Sequence, residues 1–387
     1  MLYCEVFVLP LPTKVKTVST FSELGISNEF IKGLNELNIF DPTDIQTSAI
    51  PLLLNSSEDF VGQAQTGTGK TAAFGLPLLQ NIDADKAEIQ GLIIAPTREL
   101  CQQIAKQLFK FTKYTEKIFI ESVYGGADIN NQIQRLQRPT HVVVATPGRL
   151  IDLIKREAID LTRVKHVVLD EADEMLSMGF KQDIHYILGY VPVEKSVWLF
   201  SATLPEGIQE IIKKFLSKDA KKIEVSREAG VNANVTHEYM VCNSKDKLPE
   251  LMHFLAYHKE ERGMIFCQTK RTARTLTKQL LAKNLLVDVI EGDMGQRDRD
   301  KAMRKFKSEK VDLLVTTDIA ARGIDVRGLS FVIHYELPQQ TEYYTHRSGR
   351  TGRAGLKGNS ILFIGEREKE HIYTLQKELK IKIQPLS

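Results

Sequence analysis

The sequence predicts an α/β protein built as two tandem units, each a mostly parallel sheet flanked by helices. Three observations carry this. Short apolar runs rich in Val and Ile alternate with amphipathic stretches, the pattern of strands buried on both faces by helices. At 387 residues the chain exceeds what one hydrophobic core usually serves. The alternation lapses over residues 226–236, which are short of large apolar side chains and contain Gly230, Asn232 and Asn234. A linker there separates a unit over 21–225 from a second over 237–387, with an N-terminal extension over 1–20.

In the first unit the strand candidates are Phe60–Val61, Leu92–Ala95, Ile118–Val123, Val142–Ala145, Val167–Leu169, Val197–Phe200 and Ile223–Val225. Leu100, Ile104, Leu108 and Phe111 recur at helical spacing and share one face. In the second unit the candidates are Met264–Cys267, Val287–Ile290, Leu313–Val315, Phe331–Tyr335 and Ile361–Ile364. A last amphipathic stretch, Glu366–Lys380, ends almost at Ser387, which fits either a minimal core or a chain whose tail has been cut away.

Hydrophobic residues make up 42% and charged residues 26% of the chain, as in soluble globular proteins. Cys4, Cys101, Cys242 and Cys267 are scattered without a C-x-x-C pair, which argues against a zinc site or a disulfide framework and for a reducing cytoplasm. The apolar stretch Leu2–Leu11 lacks a preceding basic residue and is interrupted by Glu5, so it is a poor signal peptide. No run of 18 apolar residues exists to span a membrane. Residues 1–225 carry 24 Lys and Arg against 28 Asp and Glu, a net of −4, whereas residues 226–387 carry 28 against 21, a net of +7. The second unit is therefore the basic one, which suits a polyanion such as nucleic acid or a triphosphate.

Chemistry concentrates where parallel strands end. Ala64-Gln65-Thr66-Gly67-Thr68-Gly69-Lys70-Thr71 follows the run Phe60–Val61 and opens onto Ala72-Ala73-Phe74. A glycine-rich turn between strand and helix gathers unpaired N–H groups around a phosphate, and the helix dipole adds to the attraction. Lys70 supplies a point charge for β/γ-phosphates and Thr71 a hydroxyl for Mg²⁺. The strict pattern has glycine where Ala64 stands; Gly67 supplies the unusual backbone angles instead. The same letters contain Gly67-x-Gly69-x-x-Ala72, a dinucleotide fingerprint, but the following strand ends in Ala95-Pro96 without the ribose-binding acid. Val167–Leu169 runs into Asp170-Glu171-Ala172-Asp173, placing Asp170 to hold Mg²⁺ and Glu171 to orient or deprotonate water. Ser201-Ala202-Thr203 reads equally well as a helix cap. His346-Arg347-Ser348-Gly349-Arg350-Thr351-Gly352-Arg353 sets arginines among small residues, as a phosphate-binding loop would, although a surface basic loop has the same letters. Pro96-Thr97-Arg98, Gly125-Gly126, Thr146-Pro147-Gly148-Arg149 and Thr316-Thr317-Asp318 are individually weak phosphate-contact candidates for which a turn or cap reading is the simpler one.

Taken together, and in this order, these motifs resemble the DEAD-box family of ATP-dependent RNA helicases, helicase core only, over residues 21–365. The resemblance implies two RecA-like domains and Mg²⁺-ATP as the substrate complex. Phe21 and Gln46, the latter within Phe40–Gln46, match the adenine-reading motif, in which a ring stacks on the base and the Gln bonds its edge; Ile39 stands where the family usually has glycine. The loop Gln65, Thr66, Gly67, Thr68, Gly69, Lys70 and Thr71 matches the phosphate motif, Asp170 and Glu171 the metal ligand and catalytic base, and Ser201 and Thr203 the element coupling ATP state to unwinding. Asp325 matches a ribose contact, Arg350 and Arg353 the arginine fingers, and His346 the link from the γ-phosphate site to the first domain. For RNA, the matching positions are Pro96, Thr97, Arg98, Gly125, Gly126, Thr146, Pro147, Gly148 and Arg149 in the first unit, and Thr269, Gln296, Arg299 and Thr316 in the second.

The resemblance further implies a monomer that holds RNA by phosphate and ribose without reading sequence, and that bends one strand to displace its partner when ATP closes the two domains. An ATP-gated RNA clamp or assembly scaffold is the alternative. Gln46 and Asp173 favour the DEAD-box branch over related translocases. Ribosomal particles or other proteins are conceivable partners, and no membrane is expected.

Overall fold

Runs of β-branched residues form strands because their side chains pack well on a pleated surface buried on both sides. The computed structural model describes residues 20–55, 58–65, 67–225, 234–321, 324, 326, 328–352 and 356–386. The first sheet contains β1 (Phe60–Gln63), β2 (Gly91–Ile94), β3 (Ile120–Val123), β4 (Val142–Ala145), β5 (His166–Leu169), β6 (Ser196–Ser201) and β7 (Lys221–Glu224). They lie in the order β3-β4-β2-β5-β6-β1-β7, all parallel. The second contains β8 (Val235–Val241), β9 (Gly263–Cys267), β10 (Val287–Ile290), β11 (Leu313–Thr317), β12 (Phe331–His334), β13 (Gly358–Ile364) and β14 (Ile383–Pro385), also parallel, in the order β10-β11-β9-β12-β13-β8-β14. Counted from each unit's own first strand, the two orders are the same.

Two strands were not expected from the sequence. β8 begins inside the stretch read as a linker, so Val235 and Thr236 already belong to the second sheet. β14 pairs with β8 through only three residues. The extension over 1–19 and residues 226–233 of the linker lie outside the described residues. Among the described residues no helix is long and apolar enough to cross a membrane.

Each sheet carries a core on both faces. In the first unit one face packs Phe74, Leu108, Phe111, Trp198 and Phe200, and the other Leu153, Leu169, Ile187 and Leu199. Strands run in one direction, so the loops leaving β1, β2, β4, β5 and β6 open on one edge, which is where the candidate residues gather. Asp59 works at the opposite edge. Buried just before β1, it accepts hydrogen bonds from the Val197 amide at 2.6 Å and the Ser217 amide at 2.5 Å, tying β1 to β6 and to the approach to β7.

Asp59→Ala should lower the stability of the first unit by about 2–4 kcal/mol, because it orphans two amides. Urea unfolding followed by Trp198 fluorescence reads this directly, and an unchanged midpoint would refute the assignment. ATP affinity of the folded variant should not change, since the site is at the other edge.

Candidate active site

The turn after β1 is shaped by two glycines with left-handed backbone, Gly67 at φ 83° and Gly69 at φ 94°. Gly69 directly precedes the helix Lys70–Gln80. A Cβ there would stand 2.4 Å from Gln46 Nε2, so both conformation and space demand glycine. The turn is clipped from outside: Gln46 Nε2 donates to the Gly69 carbonyl at 3.0 Å, its Oε1 accepts from the Thr43 amide at 2.9 Å, and Thr43 Oγ1 donates to the Thr68 carbonyl at 2.8 Å. Inside the turn Thr68 Oγ1 donates to the Gln65 carbonyl at 2.8 Å. Lys70, largely buried, and Thr71 open the helix. Thr66 lies outside the described residues.

Two sequence expectations about the base-reading segment change. Phe21 is 2% exposed and belongs to the hydrophobic core, so its ring offers no face to a base; the exposed ring of this segment is Phe40, at 60%. Gln46 is buried, with both ends of its amide bonded to the clip around the phosphate turn, so its first occupation is holding the turn.

At the end of β5, Asp170 is buried beside Lys70. Burial lifts its carboxyl pKa to about 7, opposed by the Lys70 ammonium and assisted by Glu171. Glu171 takes a left-handed backbone at φ 50°, a costly conformation for a residue with a side chain, while its amide donates to Asp170 Oδ1 at 3.0 Å. Asp173 Oδ2 accepts from the Thr203 amide at 2.8 Å and from Thr203 Oγ1 at 2.9 Å. Ser201 Oγ accepts from the Asp173 amide at 3.2 Å and donates to the Thr203 carbonyl at 2.7 Å. Ser201 and Thr203 thus lock the end of β6 to the acidic turn rather than merely capping a helix.

The second unit meets this turn through the helix Thr341–Ser348. Arg347, fully buried, makes a bidentate pair with Asp318, Nε to Oδ1 at 2.5 Å and Nη2 to Oδ2 at 2.7 Å, and donates from Nη1 to the Glu336 carbonyl at 2.8 Å. That pairing fixes the helix end. Its neighbours then face the first unit: Glu171, Glu174, Asp318, His346, Arg347 and Arg350 line one cavity between the units. His346 Nδ1 pairs with Glu174 across it. Burial alone would lower the imidazole pKa, but the bond to and charge of Glu174, with Asp173 and Glu171 adding, hold it above the ordinary value. Arg350 donates to the Ile324 carbonyl at 2.7 Å and the His346 carbonyl at 3.2 Å. Arg353 and Asp325 lie outside the described residues.

The candidate RNA positions divide into exposed loops and the groups that hold them. Gly125, Gly126, Gly148 and Thr269 are exposed, whereas Pro96, Thr97 and Pro147 are buried and Thr146 and Gln296 are half-buried. Thr97 accepts from the Leu100 amide and caps its helix. Arg149 donates to Gln132 Oε1 at 2.9 Å and the Ala127 carbonyl at 3.0 Å, bracing the loop that contains Gly125 and Gly126. Arg98 pairs with Asp300 at 3.1 Å and Arg299 with Glu99 at 2.8 Å, two reciprocal ion pairs between the units. A Cβ on Gly126 would lie 3.7 Å from Gln296 Oε1, so the loop and the helix Gln296–Lys307 are neighbours across the cleft. Thr316 is a correction: it is fully buried, with its hydroxyl on the Thr317 carbonyl, and presents nothing to a ligand. Glu99, Glu174 and Asp300 were not singled out in the sequence; no local pattern pairs residues so far apart in the chain.

Comparison with known proteins agrees with this geometry. The DEAD/DEAH box helicase family model matches residues 43–211 and the helicase conserved C-terminal domain matches residues 246–355. The DEAD-box ATP-dependent RNA helicase CshA of Bacillus cereus is 41% identical over 366 residues, 95% of this chain and 69% of that protein. Among solved structures, S. cerevisiae Dbp5 bound to RNA and ADP BeF3 is 31% identical, with a TM-score of 0.86 over 95% of each chain. Mss116p bound to ssRNA and AMP-PNP is 27% identical, with a TM-score of 0.87 over 97% of this chain and 82% of that one. Such scores span both units at once, so their mutual placement here resembles that of nucleotide- and RNA-bound relatives. The chain belongs to the DEAD-box family of ATP-dependent RNA helicases.

Proposed function

We propose that the chain is an RNA-dependent ATPase that closes its two domains around ATP and one RNA strand and thereby unwinds short duplexes locally. The observation that carries this reading is the shared cavity in which Glu171 and Glu174 of the first domain face His346 and Arg350 of the second. Lys70 binds the β/γ-phosphates, and Glu171 takes a proton from the attacking water. Arg350 meets the charge that grows on the transferred group, a contribution on the order of 10³–10⁵ in rate for residues of this kind. The buried, cation-seeking Asp170 and the Thr71 hydroxyl fit Mg²⁺, which favours few protein ligands and keeps waters and phosphate oxygens as the rest. When bound, that ion neutralises phosphate charge. Among the described residues no group of three or more His, Cys, Asp or Glu forms a metal cage, consistent with an ion that arrives with its nucleotide.

Coupling runs through Asp173, because Ser201 and Thr203 report the state of the acidic turn to β6. RNA lies along Gly125, Gly126, Gly148, Thr269 and Gln296, where backbone approaches closely and no base-specific array is built. Arg98, Arg149 and Arg299 shape that groove. The protein works as a monomer in the cytoplasm.

Displacement of a strand from a short RNA duplex, run beside RNA binding with AMP-PNP, tests the reading. Lys70→Ala should abolish ATP binding. Glu171→Gln should keep ATP and RNA binding but slow turnover by about 10²–10⁴; equal ATPase rates would sink the base assignment. RNA clamping without displacement by the wild type would make the protein an ATP-gated clamp instead. In Arg350→Ala, turnover should fall by about 10³ or more with ATP affinity changed far less, and full RNA-stimulated turnover would remove the cross-domain site.

Closure should also be linked to protons. The imidazole of His346 is raised above 6.5 when it meets Glu174, so its contribution to the closed state is complete below about 6.5 and is lost as pH rises through the raised value. RNA affinity measured with AMP-PNP should therefore weaken with rising pH by up to one proton's worth more in the wild type than in Glu174→Gln. Identical pH profiles would refute this linkage.

A further inference from the structure

The positive charge of the second domain is not spread over it. Residues 269–310 contain twelve Lys and Arg against six Asp and Glu, a net of +6 out of the +7 carried by residues 226–387. This segment builds the helices Lys270–Leu281 and Gln296–Lys307 around β10, the edge strand of the second sheet. One helix buries Ala273, Leu276 and Leu280 in the core on one face of the sheet, the other buries Ala302 and Phe306 in the core on the opposite face. Their outward sides therefore border the same edge. Three of the acids there are already engaged, Asp293 by Lys270, Glu291 by Arg274 and Asp288 by Lys305. Arg271, Lys278, Lys283, Lys301, Arg304 and Lys307 are left as surplus, without an ion pair among the described residues, and all six are exposed.

We propose that this edge is a second RNA-backbone surface, continuous with the groove, that holds the strand where it leaves the cleft. The inference rests on the reading of the cleft as the RNA site. Both helices start at the groove: Thr269 caps the first, and Gln296 opens the second beside Gly126. Each then runs away from the cleft for twelve residues, about 18 Å at 1.5 Å per residue. At about 3.4 Å of rise per nucleotide, that length accommodates about five phosphates of a stacked strand. The inward faces of both helices are committed to the sheet, and apart from the exposed Leu281 and Leu286 what the edge presents is cationic, which complements a phosphate backbone better than a bilayer interior.

The test uses the full chain with Lys278→Gln, Lys283→Gln, Arg304→Gln and Lys307→Gln combined, four exposed positions away from the groove and the ATP site. Binding of uridine oligomers is followed by fluorescence anisotropy with AMP-PNP, one of about 8 nucleotides that fills only the groove and one of about 30 that also reaches the edge. Affinity for the longer RNA should fall by at least tenfold, and its log K against log salt slope should become shallower by about 3, four contacts at about 0.7 each. Affinity for the short RNA, and the ATPase it stimulates, should stay as in the wild type. Equal losses on both lengths, or no loss on either, would overturn the proposal. So would lost binding to phosphatidylglycerol vesicles with the long RNA unaffected, which would assign the edge to a lipid surface. Failure of the wild type to bind the short RNA would instead strike at the groove itself, so the two readings fail separately.

Discussion

The pairing of Glu174 with His346 is the contact on which the rest of the structure turns. The segment Asp170–Glu174 holds four acids in five residues, all at the end of one buried strand, and crowding of this kind is unfavourable for an isolated domain. At Asp170 burial moves the pKa to about 7, with Lys70 opposing the rise and the charges of Glu171 and Asp173 adding to it. The second domain relieves this crowding by bringing His346 and Arg350 to the same cavity. Those two groups arrive in register because Arg347, between the helix and Asp318, is held by two parallel hydrogen bonds. The contact between the units at this turn is thus charge neutralisation delivered by one helix.

The RNA side of the cleft is stitched more lightly. The Arg98–Asp300 and Glu99–Arg299 pairs keep partial access to water, and exposed ion pairs are worth little individually. This weakness is useful in a machine that must reopen. If the domains held each other firmly without ligands, ATP and RNA would have no closure left to promote, and their binding would not be cooperative. On the proposed reading, ligand phosphates would add contacts that exist only in the closed form.

Most of the fold was legible because strands buried on both faces leave continuous Val and Ile runs. β8 escaped because Val235, His237 and Glu238 are buried while Thr236 and Val241 are exposed, a mixed pattern without such a run, and β14 is only three residues long. At the site, glycine-lysine and acidic motifs were readable since their chemistry depends on residue type and local spacing. What sequence could not tell was which side chain turns inward. Phe21 and Phe40 are both aromatic, yet only packing decides that Phe21 fills the core and Phe40 stays exposed. Thr316 failed for the same reason. Arg98, Arg299 and Arg149, expected on RNA, are held by Asp300, Glu99 and Gln132, partners that come from folding distant segments together.

The matching strand orders raise the question of why two equivalent sheets share one nucleotide site. In the first domain Lys70 is the first residue of the helix after β1, and in the second Lys247 is the first residue of a helix, Lys247–Tyr257, that follows β8. Lys247 is not available to a phosphate. Its Nζ donates to the Tyr335 and Phe363 carbonyls, both at 2.9 Å, so this ammonium is spent on the backbone of its own domain. The turn before it, Cys242-Asn243-Ser244-Lys245-Asp246, contains no glycine to gather amides around an anion. The second domain therefore has no counterpart of the glycine-rich turn at this position, and it contributes His346 and Arg350 to the cavity at the acidic turn of its neighbour. With the glycine-rich turn on one sheet and His346 and Arg350 on the other, completion of the cavity depends on how the two sheets face each other, and that dependence is what an ATP-driven clamp requires.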